Sequence, residues 1–293
     1  MAKFTLSAFA DEAGSTLEEQ ISALKDNGID FIEPRNINGK GILTLTEDEL
    51  REIKAELDKN GIKVGSLGSP IGKYPIDESF EKHLEDFEKA LRACEILETK
   101  NMRMFSFFVP AGMLSTYRDE VIRRIGIMVA LAKARGIRLC HENEARIYGE
   151  FPSEVADLLA KIPELYAIFD PANYRMAGAN VMDGIGATLR RFAYAHIKDA
   201  IFESKTVVPA GEGEGRIAEV LDVINGFTND KVYLTIEPHL HVFAAYKDID
   251  DRKLKGTRVF NSSRDAFDFA TNALKSLLIA NGYERNGKNE WIK

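Results

Sequence analysis

Short runs of β-branched and aromatic residues alternate along the chain with longer segments whose apolar positions recur every three to four residues. The short runs predict eight strands, at residues 4–9, 29–33, 62–67, 102–108, 137–142, 166–170, 194–198 and 232–237. The longer segments predict a helix after each strand, the second to the eighth at 46–61, 77–98, 115–135, 153–161, 183–191, 217–225 and 263–281. One strand and one helix together take up roughly 30 residues, the length of a parallel strand with its crossover helix.

Helix boundaries are marked by capping residues at both ends. Ser15 and Glu18 have the spacing of a capping box before the first helix, and Thr46 and Glu49 have it before the second. Asn27 is followed by a glycine, the residue that most often terminates a helix.

Strict alternation of strands and helices predicts a parallel sheet, because parallel strands need crossover connections. An open doubly wound sheet would carry a glycine-rich phosphate turn after its first strand, whereas this chain has the segment Ala-Asp-Glu-Ala-Gly-Ser at 10–15. We therefore expect an α/β protein with one (β/α)8 barrel domain over residues 1–293. In this prediction 239–262 is an extended loop after the eighth strand and 284–293 is a polar tail.

Side chains of the kinds that bind metal ions lie at the ends of several predicted strands. The active site of such a barrel lies at the carboxyl ends of its strands, and these ends carry Glu33, Glu142, Asp170, His196 and Glu237. The last four end consecutive strands, so their side chains can converge. Clustered carboxylates repel one another unless a cation lies between them, and three oxygen ligands with one imidazole suit Mn²⁺, Mg²⁺ or Co²⁺, with Zn²⁺ as a further option. The alternative is that these acids are ordinary turn formers or helix caps.

Composition narrows the class of protein further. The chain has 293 residues, of which 45% are hydrophobic, and a formal net charge of −7, which disfavours a nucleic-acid-binding surface. The longest apolar runs are too short to cross a membrane, so no membrane partner is expected. Acidic residues at 11 and 12 come too early for a signal peptide. Cys94 and Cys140 make no disulfide framework and are expected to be small buried residues. We therefore expect a cytoplasmic location.

Several motifs carry a resemblance to a known superfamily. They are the stretch 27–35 and the segments Ser69-Pro70-Ile71-Gly72-Lys73, His141-Glu142-Asn143-Glu144, His196-Ile197-Lys198-Asp199 and Gly211-Glu212-Gly213. The chain resembles the xylose-isomerase-like barrels, which include sugar and sugar-phosphate isomerases and epimerases and a DNA-repair endonuclease branch. The resemblance covers nearly the whole chain.

The resemblance implies a metal-dependent reaction. Ketose 3-epimerases of this superfamily hold one divalent metal ion through residues that correspond to Glu142, Asp170, His196 and Glu237, and the two glutamates are also their acid/base pair. Two departures concern the substrate: Asn173 replaces a histidine of the epimerases, and Lys198-Asp199 replaces a segment that contains a glutamate. A tagatose- or psicose-type specificity is therefore not expected.

The expected activity is isomerisation or epimerisation of a sugar or sugar phosphate. A proton next to a carbonyl would be transferred through a metal-stabilised enediolate by Glu142 and Glu237. A lyase or dehydratase that acts on a keto-sugar or inositol derivative through the same enediolate is the main alternative. An abasic-site endonuclease and a non-catalytic sugar-binding subunit are less favoured, and a homo-oligomer stays open.

Five further residues are candidates for substrate binding: Lys198, Asn173, Arg216, His239 and Arg35. Lys198 either binds a substrate oxygen or phosphate or pairs with a nearby acid. Arg216 follows a glycine-rich run whose N–H groups suit an anion, although the two glutamates in the run argue against this. His239 either contacts the substrate or has a loop role. His141 is expected to pack beside the site rather than to bind the metal.

Overall fold

Parallel strands form a closed ring in the computed structural model, which describes residues 1–241 and 258–293. The barrel strands are β1 (Lys3–Ala8), β2 (Phe31–Ile32), β3 (Lys63–Val64), β4 (Asn101–Met104), β5 (Arg138–Glu142), β6 (Tyr166–Phe169), β7 (Phe192–Ile197) and β8 (Lys231–Ile236). Each strand except β3 pairs in parallel with the next, and β8 pairs with β1 over six residues. A single parallel bridge between Leu67 and Met102 joins the segment after β3 to β4 and completes the ring. The predicted (β/α)8 barrel is confirmed.

Helices follow the strands and pack around the ring. They are α1 (Leu17–Asp26), α2 (Glu47–Lys59), α3 (Phe80–Ile96), α4 (Leu114–Ala134), α5 (Pro152–Lys161), α6 (Pro171–Met176), α7 (Val181–Leu189), α8 (Ile217–Phe227) and α9 (Ser263–Ala280). The short helix α6 was not predicted, because six residues are too few to show a helical period. It begins where Asp170 accepts the N–H of Asn173 as an N-cap.

The two predicted capping boxes have different outcomes. Thr46 and Glu49 form one at the start of α2, as expected. At α1 the predicted pair of Ser15 and Glu18 is wrong by one residue, since Thr16 and Glu19 form the reciprocal hydrogen bonds. Thr16 has the extended backbone conformation that an N-cap requires.

The fourth strand is shorter than its sequence suggests. The prediction of a strand to residue 108 is wrong beyond Met104. Phe107 has a φ of 64°, which breaks the extended conformation. The N–H groups of Phe105 and Phe107 instead donate to the carbonyls of Ile71 and Gly72, so this aromatic segment lies against the loop after β3.

The carboxyl-terminal segment, predicted as a tail, forms two short strands. Glu284–Arg285 pairs with Glu290–Ile292, and Trp291 lies opposite Phe4 of β1 in an antiparallel bridge.

Most of the predicted loop 239–262, including residues 242–257, lies outside the described residues. Within the described part, both cysteines are buried free thiols, and none of the helices has the length and apolar character needed to cross a membrane.

Candidate active site

Four side chains converge where strands β5 to β8 end. Glu142 is the last residue of β5 and His196 lies near the end of β7, while Asp170 and Glu237 directly follow β6 and β8. All four are buried, and one potential ligand atom from each lies within 4.8 Å of those of the others. The structure thus brings together the four residues that the sequence suggested as metal ligands.

The imidazole of His196 is oriented by a carboxylate behind it. Its Nδ1 lies 3.0 Å from Glu142 Oε1 and 3.3 Å from Glu237 Oε2, whereas Nε2 faces Glu33 Oε2 at 3.5 Å. Glu33 is itself held by hydroxyl donors, Tyr194 at 2.8 Å and Thr235 at 3.0 Å. With a metal ion held by the cluster, the carboxylate that faces Nε2 would favour the tautomer whose Nδ1 lone pair points toward the metal. Glu33, a strand-end acid without a predicted role, therefore acts on the orientation of His196.

Each acid of the cluster also has a cationic neighbour. Arg103 Nη1 lies 3.2 Å from Glu142 Oε2, and Arg35 Nη1 lies 3.2 Å from Glu237 Oε1. Lys198 Nζ lies 2.9 Å from Asp170 Oδ2 and 3.5 Å from Glu237 Oε2. Both glutamates therefore present one oxygen to an arginine and the other to His196 Nδ1.

The ionisation of the cluster fits a divalent cation. Burial, opposed by Lys198 and reinforced by the charge of Glu237, raises the pKa of Asp170 to about 6. Burial also opposes ionisation of Glu142, yet His196 and Arg103 hold the pKa of its carboxyl below the usual range. An acid that resists ionisation among like charges gains from a metal ion, and the three carboxylates with Nδ1 of His196 form a donor set that can hold one.

Four of the five candidate substrate residues lie beside the cluster. Asn173 Nδ2 donates to Glu142 Oε1 at 3.4 Å, and His239 Nε2 lies 3.3 Å from Glu237 Oε1. Lys198 and Arg35 make the ion pairs given above, so period-two alternation did place Lys198 on the same side as His196.

Arg216 is directed elsewhere. Its guanidinium is exposed and pairs with Glu219, three residues further along α8. The glycine-rich run before it does bind an anion, but the anion is the buried carboxylate of Asp199. That carboxylate accepts the N–H groups of Gly211 at 2.9 Å, Gly213 at 3.0 Å and Gly215 at 2.7 Å. The N–H groups expected to bind a substrate anion are therefore used to fix the loop.

His141 packs beside the site, as expected. Its Nε2 lies 2.9 Å from Ser106 Oγ, and the ring fits so closely against Gly149 that a Cβ there would lie 2.4 Å from His141 Cε1. The side chain thus fills the space beside Ser106 and the turn at Tyr148–Glu150 that precedes α5.

A cleft of about 560 Å³ opens beside the cluster, on the side of β1 to β4. Its lining includes Arg35 and Arg103, the partners of the two glutamates. Both guanidinium carbons lie over the Phe9 ring, at 4.4 and 4.8 Å from its centroid. Lys73, also in the lining, pairs with Glu144 at 3.0 Å. The cleft thus begins at the arginines that pair with the glutamates and extends over the loops that follow β1, β2 and β3.

Sequence reasoning missed Arg103 and Lys73. Arg103 lies inside a short strand whose four residues are all buried. A charged residue at a buried strand position indicates a polar barrel interior. Lys73 belongs to a segment that carried the resemblance but was given no role. Its contact with Glu144 joins loops 71 residues apart in sequence, a pairing that no local pattern shows.

A family model described as xylose isomerase-like TIM barrel matches residues 21–254. The chain belongs to this family. The matched residues run from α1 to beyond β8 and include all four residues of the buried cluster.

Solved structures of this family share the fold at low sequence identity. A D-psicose 3-epimerase determined in the presence of D-fructose is 18% identical, with a TM-score of 0.70 over 95% of this chain and 99% of that one. The IolI protein, determined with a bound zinc atom, is 14% identical, with a TM-score of 0.72 over 94% of this chain and 97% of that one. The probable 3-DHS dehydratase AsbF from Bacillus anthracis is 14% identical, with a TM-score of 0.72 over 93% of this chain and 98% of that one. None of the curated protein sequences matches the chain.

Proposed function

We propose that the protein is a divalent-metal-dependent isomerase or epimerase of sugars that transfers a proton next to a carbonyl. The observation that carries the proposal is that Glu142 and Glu237 both approach His196 Nδ1, at 3.0 and 3.3 Å, within a cluster that also contains Asp170. Two carboxylates on opposite sides of one substrate carbon can remove and return a proton on different faces.

Glu142, Asp170, His196 and Glu237 would hold the metal ion, and the zinc atom in the similar structure of the IolI protein supports a metal-dependent reaction. When bound, a divalent cation supplies Lewis acidity that favours the negative charge developing on the substrate oxygen. Mn²⁺, Mg²⁺ and Co²⁺ suit the three carboxylates best, and Zn²⁺ remains an alternative.

The chain itself supplies the groups that move protons. One glutamate accepts the proton from the carbon next to the carbonyl, so that the C–H electron pair becomes part of an enediolate. The other glutamate can return a proton to the opposite face of the same carbon, which inverts that centre and gives an epimer. It can instead protonate the adjacent carbon, which interconverts an aldose and a ketose. Arg103 and Arg35 hold the two carboxylates in place at 3.2 Å. The ammonium of Lys198 adds positive charge beside the reacting atoms.

A lyase is the second candidate function, because Lys198 and the similarity to a probable dehydratase both favour it. Burial disfavours the charged form of Lys198, yet Asp170 and Glu237 raise the pKa of its ammonium above the usual range. An ammonium next to the cluster can bind a leaving hydroxyl group. A product one water lighter than the substrate would identify this reaction.

The experiment that tests the proposal is exchange of the substrate's α-hydrogen with deuterium from D₂O, followed by NMR across a panel of keto-sugars. With Mn²⁺ supplied, we expect the wild type to exchange and Glu142→Gln and Glu237→Gln each to lower the rate at least ~100-fold, the scale of a lost general acid or base. Glu164→Gln, an exposed glutamate that pairs with Lys133, is the matched control and should keep the wild-type rate. Undiminished exchange in either site variant would contradict the assignment.

A further inference from the structure

The cleft beside the cluster is larger than one sugar needs. It measures about 560 Å³, within the range of pockets that bury a drug-sized ligand. A six-carbon sugar placed with its reacting carbon between Glu142 and Glu237 would leave most of this space to water. The cleft continues past Arg35 and Arg103 toward the hairpin formed by Asn36–Ile37 and Lys40–Gly41.

The cations that line the cleft already have carboxylate partners. Arg35 pairs with Asp11 at 3.0 Å, and Lys89 pairs with Asp86 at 2.7 Å. Arg103 and Lys73 make the pairs with Glu142 and Glu144 given above. The described lining residues therefore offer no cation without a carboxylate partner, and a phosphate would have to compete for one. The pairs of Arg35 and Arg103 are buried and that of Lys73 is half-buried, so breaking them is costly, whereas only the pair of Lys89 lies at the surface.

The rest of the lining is uncharged. Hydroxyl and amide groups come from Ser15, Asn36 and Thr44, and carbon surface comes from Ile42, Leu43, Pro70 and Tyr74. Such a mixture of hydrogen-bonding groups and small apolar faces matches a neutral polyol ring, whose edges carry hydroxyl groups and whose faces carry C–H groups.

We propose that the substrate is a neutral glycoside whose reacting sugar carries the carbonyl group and lies at the metal cluster, and whose second ring occupies this cleft. The inference rests on the proposed function and specifies its substrate: a sugar linked to a second uncharged ring, rather than a free monosaccharide or a sugar phosphate.

The test places a side chain in the cleft at Gly41. This glycine has a φ of −64° and a ψ of 146°, which any residue adopts, and a Cβ there would meet only Asn36 Oδ1, at 3.6 Å. Gly41→Leu therefore fills part of the cleft without backbone strain. Gly126→Leu is the matched control, because Gly126 lies in α4 with nothing within 4 Å of its Cβ position.

Calorimetric binding to the Mn²⁺-loaded protein compares D-glucose and D-glucose 6-phosphate with trehalose, maltose and cellobiose. We expect at least one disaccharide to bind at least ~tenfold more tightly than both glucose and its phosphate, a difference of about 1.4 kcal/mol. Gly41→Leu should lower the affinity for that disaccharide at least ~tenfold and leave the affinity for glucose unchanged. Gly126→Leu should change neither affinity.

Tighter binding of the phosphate, or equal losses of glucose and disaccharide in Gly41→Leu, would overturn the proposal. Failure here is separable from failure of the proposed function. Deuterium exchange on a monosaccharide depends on Glu142 and Glu237 and should persist in Gly41→Leu. Conversely, disaccharide binding that responds to Gly41→Leu supports the second-ring site even if no keto-sugar exchanges.

Discussion

Glu33 shows how one buried carboxylate can serve a site without belonging to its donor set. It lies on the far side of His196 from the cluster and is fully buried; its oxygens accept hydrogen bonds from Tyr194 and Thr235, and one of them faces the imidazole Nε2 at 3.5 Å. Burial of an acid is costly unless its hydrogen-bonding capacity is used. Two hydroxyl donors meet that requirement, and they hold the carboxylate where its charge faces the His196 ring.

Replacing this acid should weaken metal binding without unfolding the protein. In Glu33→Gln the negative charge that faces His196 Nε2 is lost, so the ring is less basic and less firmly oriented. We expect the affinity for Mn²⁺ to fall ~10–100-fold, the usual effect of losing such an outer partner. Titration of the metal-free protein with Mn²⁺ measures the change, and the thermal midpoint of the apo protein reports on folding.

Tyr194→Phe is the control for this prediction. It removes one hydroxyl donor to Glu33 but leaves the carboxylate in contact with His196. Its metal affinity should change less than that of Glu33→Gln. Equal losses in the two variants would mean that general packing around Glu33, and not its charge at Nε2, supports the site.

At the residue scale, the sequence predicted the location of those side chains that lie at the carboxyl ends of strands. Glu142, Asp170, His196 and Glu237 each end a predicted strand of one parallel sheet, and parallel strands align their carboxyl ends. Arg216 shows where this reasoning stops. A flexible glycine-rich run suits an anion, but the sequence does not show that Asp199 of the same chain is that anion.

At the scale of elements, the segment after β3 and the segment after β4 form one unit. The chain turns at Gly72, whose φ is +88°, and the Cβ of any larger residue there would lie 1.9 Å from the carbonyl oxygen of Phe105. This contact explains why the predicted strand 102–108 ends early. The aromatic run pairs with a loop, and only the fold shows that pairing.

Gly72→Ala should therefore be much more destabilising than an alanine at a comparable glycine. Gly112 has a φ of +77° but nothing within 4 Å of its Cβ position, so Gly112→Ala reports the backbone cost alone, about 1 kcal/mol. Gly72→Ala adds a clash with backbone atoms, and we expect a loss above ~3 kcal/mol in the free energy of unfolding. Urea denaturation compares the two variants, and similar losses would show that the loops separate easily.

At the scale of the whole molecule, β1 connects the two ends of the barrel. Along one side it pairs with β8 over its full length. Along the other side its later residues, Ser7 and Ala8, pair with β2, while Phe4 and Thr5 pair with the carboxyl-terminal strand. Its far end leads to Phe9, whose ring lies against both arginines of the site. The eight-fold alternation predicted this strand, but not the partner from residues 290–292, because a polar ten-residue segment carries no strand pattern.

Trp291 should accordingly matter for stability and not for metal binding. Its side chain is 5% exposed and its backbone lies opposite Phe4, at the end of β1 remote from the cluster. Removing a buried indole in Trp291→Ala should lower the free energy of unfolding by ~3–5 kcal/mol, as measured by urea denaturation. Ile292→Ala, at a position that is 40% exposed, should cost less than ~1 kcal/mol. Folded Trp291→Ala protein should bind Mn²⁺ as the wild type does, because β8 still supports β1 beside Glu237. A matching loss of metal affinity would show that the lower end of the barrel fixes the geometry of the site.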